Sequence, residues 1–259
     1  DPFMGGGTTL VEAMAVGRHA IGTDINPIAH LVSSAKTTLI SQNDQDTLNK
    51  WIEKLPNKLN AKKTPSNQHK IWQENGYQKD LPWSIRRIIE LIIDELCKLP
   101  TSKLQRLARC ALLKTGQWAL DSTTNFPSVE KFRNKYFDIL HQQIIGLETL
   151  KSAVATTQVK SKILCLNLPA AELTPNHWNK KIDGKPSLVI TSPPYPSVHV
   201  LYHRWQVMGR KETSAPYWIA STPDGNGEAF YTMGARTSSG LDNYFLNLKE
   251  SFSKISNLL

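Results

Sequence analysis

The chain has 259 residues, of which 40% are hydrophobic, and it carries a formal net charge of +9. No apolar stretch reaches the length of a transmembrane helix, and the first residues lack the basic start and apolar core of a signal peptide, so we expect neither segment. The three cysteines lack metal-ligand spacing, so we expect a cytoplasmic protein without a metal site. The positive charge favours a polyanionic partner.

A glycine-rich segment opens the chain, Asp1-Pro2-Phe3-Met4-Gly5-Gly6-Gly7-Thr8-Thr9, and a helical pattern over residues 10–15 follows it. Glycines ahead of a helix N-terminus allow a ligand to approach the backbone closely. A short strand is then predicted at residues 20–23. Asp24 follows that strand, where an acidic residue can bind ribose hydroxyls. This order favours a nucleotide-like ligand over a flexible linker.

Residues 41–158 interrupt the expected alternation of strands and helices. They begin with a polar run at residues 41–47. Apolar residues at helical spacing then predict three helices, at residues 83–99, from residue 102 to about 112, and from an N-cap at Ser128 to residue 150. The segment contains 18 lysines and arginines against 12 aspartates and glutamates, so it holds six of the nine net positive charges. We therefore predict a basic helical insertion.

Nine basic side chains of this insertion are candidates for contacts to nucleic-acid phosphates, which position a protein without specifying sequence. For each one, the alternative is a solvated position on an amphipathic helix. The candidates are Arg86, Arg87, Lys103, Arg106, Arg109, Lys114, Lys131, Arg133 and Lys135. Residues 62–70 are predicted to form an exposed loop.

Two further strands are predicted in the C-terminal part of the chain. The first, at residues 162–166, is followed by Asn167. The second is the apolar run at residues 187–191, which we expect to be buried and which ends at Ser192-Pro193-Pro194-Tyr195. The proline pair cannot continue a β-ladder and holds the preceding carbonyls in one geometry beside an aromatic face. Such a rim suits the binding of a planar amine, and a simple proline turn is the alternative.

Aromatic and basic residues follow this tetrapeptide. His199, Tyr202 and Arg204 are candidates for contacts to an extruded base or to its backbone. Core packing is the alternative for the aromatic residues. His199 and His203 are spaced like a metal pair, but no adjacent Glu or Cys completes a ligand set.

The glycine loop and the Ser-Pro-Pro-Tyr tetrapeptide together resemble the S-adenosylmethionine-dependent amino-methyltransferases of DNA, which methylate exocyclic nitrogens of adenine or cytosine. In that family a DPFxGxGT loop wraps the methionine part of the cofactor, an acidic residue after the second strand binds its ribose, and a [DNS]PP[YFW] tetrapeptide holds the target base. The resemblance covers residues 1–40 and 160–200. It implies an α/β, Rossmann-like class I methyltransferase fold with a mostly parallel sheet. It also implies S-adenosyl-L-methionine as the cofactor and double-stranded DNA as the partner.

Residue by residue, the resemblance assigns a cofactor-binding set and a catalytic set. The cofactor-binding set is Asp1, Phe3, Gly5, Gly7, Thr8 and Thr9 around the methionine moiety, Asp24 on the ribose, Ile25 against the adenine ring, and Asn167 as an acceptor where the family usually has an acidic residue. The catalytic set is Ser192, Pro193, Pro194 and Tyr195. In the family, Ser at the first position of the tetrapeptide leans toward cytosine N4 and Asp toward adenine N6, so we expect methylation of cytosine N4. No Pro-Cys nucleophile of the cytosine-C5 type is present.

Three parts of the chain are expected. Residues 1–40 would bind the cofactor, residues 41–158 would form the helical insertion, and residues 159–259 would form the catalytic part with a substrate loop. Within the last part, residues 216–240 are rich in Gly, Ser, Thr and Pro and predict a mobile loop, and residues 241–259 predict a helix.

Two strands of the family's sheet have no counterpart in the sequence, one before Asp1 and one after the final helix. We therefore expect a sheet that is incomplete at both chain ends, from a fragment or a split enzyme, with a second chain or segment as the partner that completes it. Methylation of adenine N6 is the main alternative activity, and a role in restriction-modification is compatible with either base. A catalytically inactive nucleic-acid-binding subunit and an RNA or protein methyltransferase are the remaining alternatives.

Overall fold

The computed structural model describes residues 1–60, 62–195, 204–209, 211–224, 233 and 237–259. The chain divides into two compact units. The first unit comprises Asp1–Thr37, Thr149–Val200 and Asp224–Leu259, and the second comprises Thr38–Glu148 and Leu201–Pro223. The protein is thus a mixture of helices and strands in which the second unit is formed by two insertions into the first.

The first unit contains a small parallel sheet. Its strands are β1, Ala20–Thr23, and β2, Ile163–Leu166, which pair from Ala20 opposite Ile163 to Thr23 opposite Leu166. Two of the three predicted strands are therefore confirmed, the second of them one residue shorter than expected. The helices of this unit are α1, Thr8–Ala15, α2, Pro27–Lys36, the C-terminal end of α7, Val129–Ala155, and α9, Ser238–Ser256.

Asp1 lies beside strand β1 and is hydrogen-bonded to it. The amino group of Asp1 donates to the carbonyl of Ile21 at 2.8 Å, and the N–H of Thr23 donates to the carbonyl of Asp1 at 3.0 Å. These two bonds flank Gly22, which is the hydrogen-bond pattern of a parallel bridge. An added Cβ at Gly22 would lie 2.6 Å from Leu10 Cδ1 and 2.8 Å from Met4 Sδ, so glycine allows the first helix to pack closely on this strand.

Residues 187–191 do not form the buried strand that the sequence predicts. They belong to none of the strands in the described part of the chain, and the side chains of Leu188 and Ile190 are 72% and 55% exposed. An extended segment becomes a regular strand only when a neighbour supplies ladder hydrogen bonds, and no described residue does so here. One apolar cluster of this unit lies instead around Leu164, Trp178 and Ile182.

The second unit is helical, with one short antiparallel hairpin. Its helices are α3, Gln42–Lys54, α4, Lys70–Glu74, α5, Trp83–Leu96, α6, Ser102–Leu120, most of α7, and α8, Ala215–Ala220. The hairpin consists of β3, Trp205–Val207, and β4, Lys211–Thr213. The three helices predicted for the insertion are therefore confirmed. Helix α5 ends at Leu96, three residues before the predicted end, and α6 continues to Leu120, beyond the predicted end near residue 112.

The polar run at residues 41–47 begins a helix that the sequence analysis did not predict. Ser41 is its N-cap: the hydroxyl of Ser41 accepts from the N–H of Asp44 at 3.2 Å, and the carboxylate of Asp44 accepts from the N–H of Ser41 at 2.8 Å. This reciprocal capping box satisfies two backbone donors at the helix start. Leu48 and Ile52 then bury the inner side of the helix.

Residues 62–70 are not wholly an exposed loop, because Asn67–His69 form a short turn of 3₁₀ helix and the His69 side chain is buried. His69 Nε2 lies 3.1 Å from Asp94 Oδ1, and the Trp218 indole N–H donates to His69 Nδ1 at 3.2 Å. The imidazole therefore connects helices α5 and α8.

Residues 216–220 are also not a mobile loop. They belong to the buried helix α8, whose Ile219 carbonyl accepts from Arg109 Nη1 at 2.7 Å. Pro216 is compatible with this helix because proline is favoured in the first turn. Residues 225–232 and 234–236 of the predicted loop lie outside the described residues.

Gly116 of α6 allows the ring of Trp205 to pack directly against the helix backbone. An added Cβ would lie 2.6 Å from Cη2 of Trp205, which is 1% exposed. We predict that Gly116→Ala lowers the free energy of unfolding by about 1–3 kcal/mol through overpacking, as measured by urea denaturation followed by circular dichroism.

Gly146→Ala is the matched control, because Gly146 lies within α7 and its added Cβ would meet nothing within 4 Å. That variant gains helix propensity and is expected to be more stable by up to about 1 kcal/mol. Equal stabilisation by both substitutions would contradict the close packing of Gly116 on Trp205.

Candidate active site

The glycine loop between residues 4 and 8 is held in a conformation that requires glycine. Gly5 and Gly7 have φ of 45° and 76°, in the left-handed region, and Gly7 is the N-cap of α1. A Cβ at Gly7 would lie 2.6 Å from the Oγ and 2.9 Å from the Cα of Ser33. Both the backbone conformation and the neighbouring helix therefore exclude a side chain at this position.

Helix α2 fixes this loop through two side chains that sequence analysis missed. The hydroxyl of Ser33 donates to the carbonyl of Gly5 at 2.9 Å, and the ammonium of Lys36 donates to the carbonyl of Gly6 at 2.7 Å. Ser33 and Lys36 are three residues apart and so share a helix face. That spacing was the available signal, but it gains meaning only when α2 is known to pack on the loop.

Asp24, the expected ribose ligand, also connects the loop to the sheet. Its Oδ2 accepts from the N–H of Gly5 at 2.9 Å, and its Oδ1 accepts from the N–H of Asn26 at 2.8 Å. Burial raises the pKa of the Asp24 carboxyl, and the two backbone donors act in the opposite direction. An ionised carboxylate offers about four acceptor positions, so each oxygen retains capacity for a second donor such as a ligand hydroxyl.

Asn167 lies directly beside Asp24. Its amide nitrogen donates to the carbonyl of Asp24 at 2.8 Å, and the N–H of Asp24 donates to the carbonyl of Leu166 at 3.1 Å. The parallel pairing of β1 with β2 brings these residues together, because each one directly follows its strand. With the amide nitrogen engaged, the amide oxygen of Asn167 remains as the acceptor on that side chain.

The other members of the expected cofactor set surround the same strand end. Thr8 and Thr9 are the first residues of α1, and Ile25 is half-buried between Asp24 and Asn26. The ring of Phe3 contacts Phe252 of α9 edge to face, with centroids 6.3 Å apart.

The tetrapeptide is joined to the glycine loop by one hydrogen bond. Thr191, the residue before Ser192, donates its hydroxyl to Asp1 Oδ1 at 2.9 Å, and the same carboxylate oxygen accepts from the N–H of Phe3 at 3.2 Å. Asp1 therefore organises the loop and holds the start of the tetrapeptide next to it. The contribution of Thr191 was not foreseen, although its position immediately before the motif was the available signal.

The residues of the tetrapeptide are accessible from solvent. Ser192 is exposed, Pro193 and Pro194 are half-buried, and the ring of Tyr195 is 65% exposed. The nearby phenol of Tyr195, together with burial as the larger cause, raises the pKa of Tyr244 in α9. Tyr195 thus presents most of its ring to solvent while lying near α9.

The substrate-binding expectations reach beyond this arrangement. His199 and Tyr202 lie outside the described residues, and Arg204 precedes β3 in the second unit with its side chain half-buried. Across the described ranges, no group of three or more His, Cys, Asp or Glu side chains is placed to hold a metal ion. None of the described helices is long and apolar enough to cross a membrane.

The position of Gly7 generates a prediction about the loop. We expect Gly7→Ala to lower the free energy of unfolding by about 1–3 kcal/mol, because the new methyl group requires both a left-handed conformation and displacement of α2. Thermal and urea unfolding of the variant would measure this change.

Gly6→Ala provides the matched control in the same loop. Its added Cβ would meet only the flexible end of Lys36, at 3.5 Å, so we expect a change of less than about 1 kcal/mol. A Gly7 variant as stable as the Gly6 variant would show that α2 does not constrain the loop.

Comparison with known proteins finds two short segments of high similarity. Type II methyltransferase M.MvaI of Kocuria varians is 60% identical over 40 residues, which are 15% of this chain and 9% of that protein. Type II methyltransferase M.MjaII of Methanocaldococcus jannaschii is 53% identical over 36 residues, which are 14% of this chain and 7% of that protein. No family model matches the chain, and no solved structure matches it significantly. The chain therefore matches less than a tenth of the length of either relative, and its similarity is to segments of type II methyltransferases.

Proposed function

We propose that this chain carries the cofactor-binding and base-binding parts of an S-adenosylmethionine-dependent DNA methyltransferase that acts on an exocyclic amino group. The hydrogen bond between Thr191 and Asp1 is the observation that carries the proposal. It joins a glycine loop suited to a nucleotide-like cofactor to a rigid, exposed Pro-Pro-Tyr rim suited to a planar base. The similarity of short segments to two type II methyltransferases supports the same activity.

The residues of the glycine loop fit the proposed cofactor. Gly5 and Gly7 leave backbone atoms without side-chain cover, so the methionine part could approach between Asp1, Phe3 and the first turn of α1. Thr8 and Thr9 provide hydroxyls at that turn. When bound, S-adenosylmethionine would supply an electrophilic methyl group, because its sulfonium sulfur leaves readily as a neutral thioether.

Asp24, Ile25 and Asn167 fit the nucleoside part of the cofactor. Asp24 has acceptor capacity left for ribose hydroxyls, and donation from them would offset the effect of burial on the pKa of Asp24. The amide oxygen of Asn167 can accept from the adenine amino group, in place of the carboxylate that is usual in the family. Ile25 contributes an apolar contact to the ring.

The tetrapeptide fits the target base. The Tyr195 ring is exposed and can stack on a base that has left the duplex, while the hydroxyl of Ser192 and the carbonyl of Pro193 can accept from its amino group. Two acceptors that bind one amino group reduce the conjugation of its nitrogen with the base ring and direct the nitrogen lone pair toward the methyl group of the cofactor. The chain would therefore contribute orientation and electrostatics, with no covalent intermediate.

Cytosine N4 is the proposed target, with adenine N6 as the alternative. The preference comes from Ser192 at the first position of the tetrapeptide, where the resembling family more often has Asp in adenine N6 enzymes. The assay below separates the two products.

We also propose that β1 and β2 belong to a larger Rossmann-like sheet. Their parallel pairing and the bridge-like hydrogen bonds between Asp1 and the residues around Gly22 support this. The exposed side chains of Leu188 and Ile190 also support it, since elements packed on the faces of a completed sheet would cover them.

Asp24→Asn tests the cofactor site while keeping the shape of the side chain. We predict at least about tenfold weaker binding of S-adenosylmethionine by calorimetry, because hydrogen bonds to a charged group contribute about 1.5–3 kcal/mol.

Asp44→Asn is the control for a structural carboxylate elsewhere in the chain. Hydrogen bonds from Lys103 and Ser41 lower the pKa of Asp44 to about 2, so its loss should reduce stability and leave cofactor affinity unchanged. If Asp24→Asn also reduced only stability, Asp24 would serve only to hold Gly5 and Asn26 in place, and the cofactor assignment would be wrong.

Ser192→Ala and Tyr195→Ala test the base site. We expect both to reduce methyl transfer at least about tenfold while cofactor affinity stays the same, because one removes an acceptor and the other a stacking face worth about 1–3 kcal/mol. The measurement uses radiolabelled cofactor and unmethylated duplex DNA, followed by mass analysis of the nucleosides.

Tyr195→Phe is the matched control, since it keeps the ring and should retain most of the activity. Product at N4-methylcytosine that is lost in both alanine variants supports the proposal, and product at N6-methyladenine selects the alternative base. Label in C5-methylcytosine, or activity that survives both alanine substitutions, would contradict the mechanism.

A further inference from the structure

We propose that α6 and α7 of the second unit present a binding surface for the phosphate backbone of duplex DNA. The surface consists of Lys114 and Trp118 of α6 and Lys131 and Lys135 of α7, and is named here the lysine–tryptophan face. The choice of DNA as its partner rests on the proposed function. The charge and geometry of the face are independent of it.

Internal contacts narrow the basic candidates of the helical insertion. Four of the nine bind groups within the second unit and are therefore poor phosphate ligands, because a second partner would have to displace the first. These are Lys103 with the carboxylate of Asp44, Arg109 with the carbonyl of Ile219, and Arg86 and Arg87 with the carboxylate of Glu90. For these four, the structure favours the role of structural ion pairs and hydrogen bonds.

Three of the remaining candidates are linked to one exposed tryptophan, one by direct contact and two by helical spacing. Lys114 and Trp118 are one turn apart on α6, and Lys131 and Lys135 are one turn apart on α7. The ammonium of Lys135 lies 5.7 Å from the centroid of the Trp118 ring. This contact joins the exposed ring on α6 to a basic side chain on α7. In the part of the chain that the structure describes, no carboxylate forms an ion pair with any of these three lysines.

The exposure of Trp118 indicates contact with a partner. Trp118 is 46% exposed although it carries one of the largest apolar surfaces available to a residue. In the same unit, Trp205 and Trp218 are 1% exposed each and Trp83 is 61% exposed, but of these exposed rings Trp118 is the one with a lysine over its face among the described residues. The cation–π contact with Lys135 keeps the ring in place without covering it. An indole fixed among ammonium groups matches the alternation of apolar sugars and anionic phosphates along a DNA strand.

Asp138 marks one limit of the face. It is exposed and lies one turn beyond Lys135 on α7, where its carboxylate would repel a phosphate placed on that lysine. A duplex would therefore contact the face from the Lys131 side. This arrangement gives an acidic residue whose removal should strengthen binding, opposite in sign to removal of the lysines.

The test measures binding of the full chain to a fluorescein-labelled DNA duplex of mixed sequence, by anisotropy between about 50 and 200 mM salt. The double variant Lys131→Glu/Lys135→Glu should bind at least about tenfold more weakly, and its salt slope should fall by about two. Trp118→Ala should weaken binding with little change in slope, and Asp138→Asn should strengthen it about twofold or more.

A matched control reverses Lys50 and Lys54, which are both exposed and one turn apart on α3 of the same unit. It changes the net charge equally and should alter affinity by less than about threefold, which separates a local surface from the general charge of the protein. Circular dichroism checks that each variant is folded, and the single Lys131 and Lys135 variants provide the test if the double variant is not.

Equal loss of affinity in the Lys50/Lys54 control, unchanged affinity in the Lys131/Lys135 variants, or no binding of duplex by the parent chain would each overturn the proposal. Methyl transfer and cofactor binding in the same proteins keep the two proposals apart. If the parent chain transfers no methyl group but its Lys131→Glu/Lys135→Glu variant selectively loses DNA affinity, the result supports the lysine–tryptophan face and contradicts the proposed activity. If the parent chain methylates DNA but the Lys131/Lys135 and Lys50/Lys54 double variants bind the duplex with equal affinity, the result supports the proposed activity and contradicts the lysine–tryptophan face.

Discussion

The candidate site depends on Asp24, because its carboxylate and its backbone together connect the glycine loop, the residue ahead of α2 and the residue after β2. One oxygen binds the N–H of Gly5 in the loop and the other binds the N–H of Asn26 ahead of α2, while the amide of Asn167 after β2 binds the carbonyl of Asp24. Without this carboxylate, the N–H groups of Gly5 and Asn26 would have to find other acceptors or bind water. The same group that could bind ribose hydroxyls thus holds the surrounding backbone, so changes in ligand binding and in loop stability are coupled.

In the second unit, a polar network around the half-buried Asp94 performs the corresponding role. Asp94 accepts hydrogen bonds from the N–H and hydroxyl of Ser66, from the amide of Gln68 and from His69, and these partners outweigh burial and hold the pKa of Asp94 below its usual range. Trp218 completes the chain of contacts from the opposite side of His69. A segment that looks like a polar linker in the sequence is therefore fixed to two helices. The unit combines this network with aliphatic packing along α5 and α6.

Much of the secondary structure could be predicted, because long apolar stripes and strand-terminal motifs are local signals. The helices α5, α6 and α7 follow from periodicity, and the strands at residues 20–23 and 163–166 follow from the order of motifs. The capping box of Ser41 and Asp44 was also a local signal, but it lies within a polar run that lacks the apolar spacing of a helix, so α3 was not predicted. The errors at residues 187–191 and 216–220 have another cause. An apolar run becomes a strand only beside a partner, and Pro216 ends a helix or begins one according to what precedes it.

The site could be predicted only where motif order carries the information. Asp24, Asn167 and the tetrapeptide were proposed as site residues from the order of motifs along the chain, whereas Ser33, Lys36 and Thr191 make contacts between distant segments. No single-sequence pattern distinguishes these three from ordinary helix and strand residues. The same holds for the basic residues of the insertion, since whether an arginine is paired depends on the carboxylate that folding places beside it.

The close approach of Gly7 to α2 also has an evolutionary consequence. The atoms that a side chain at Gly7 would meet include the Cα of Ser33, at 2.9 Å, and not only its hydroxymethyl group. A smaller residue at position 33, even glycine, would therefore leave the backbone obstacle in place and would remove the donor to Gly5. No single substitution in the facing residue can act as a suppressor of a change at Gly7. The loop can diverge in sequence around this position, but this glycine can be replaced only if the helix itself moves.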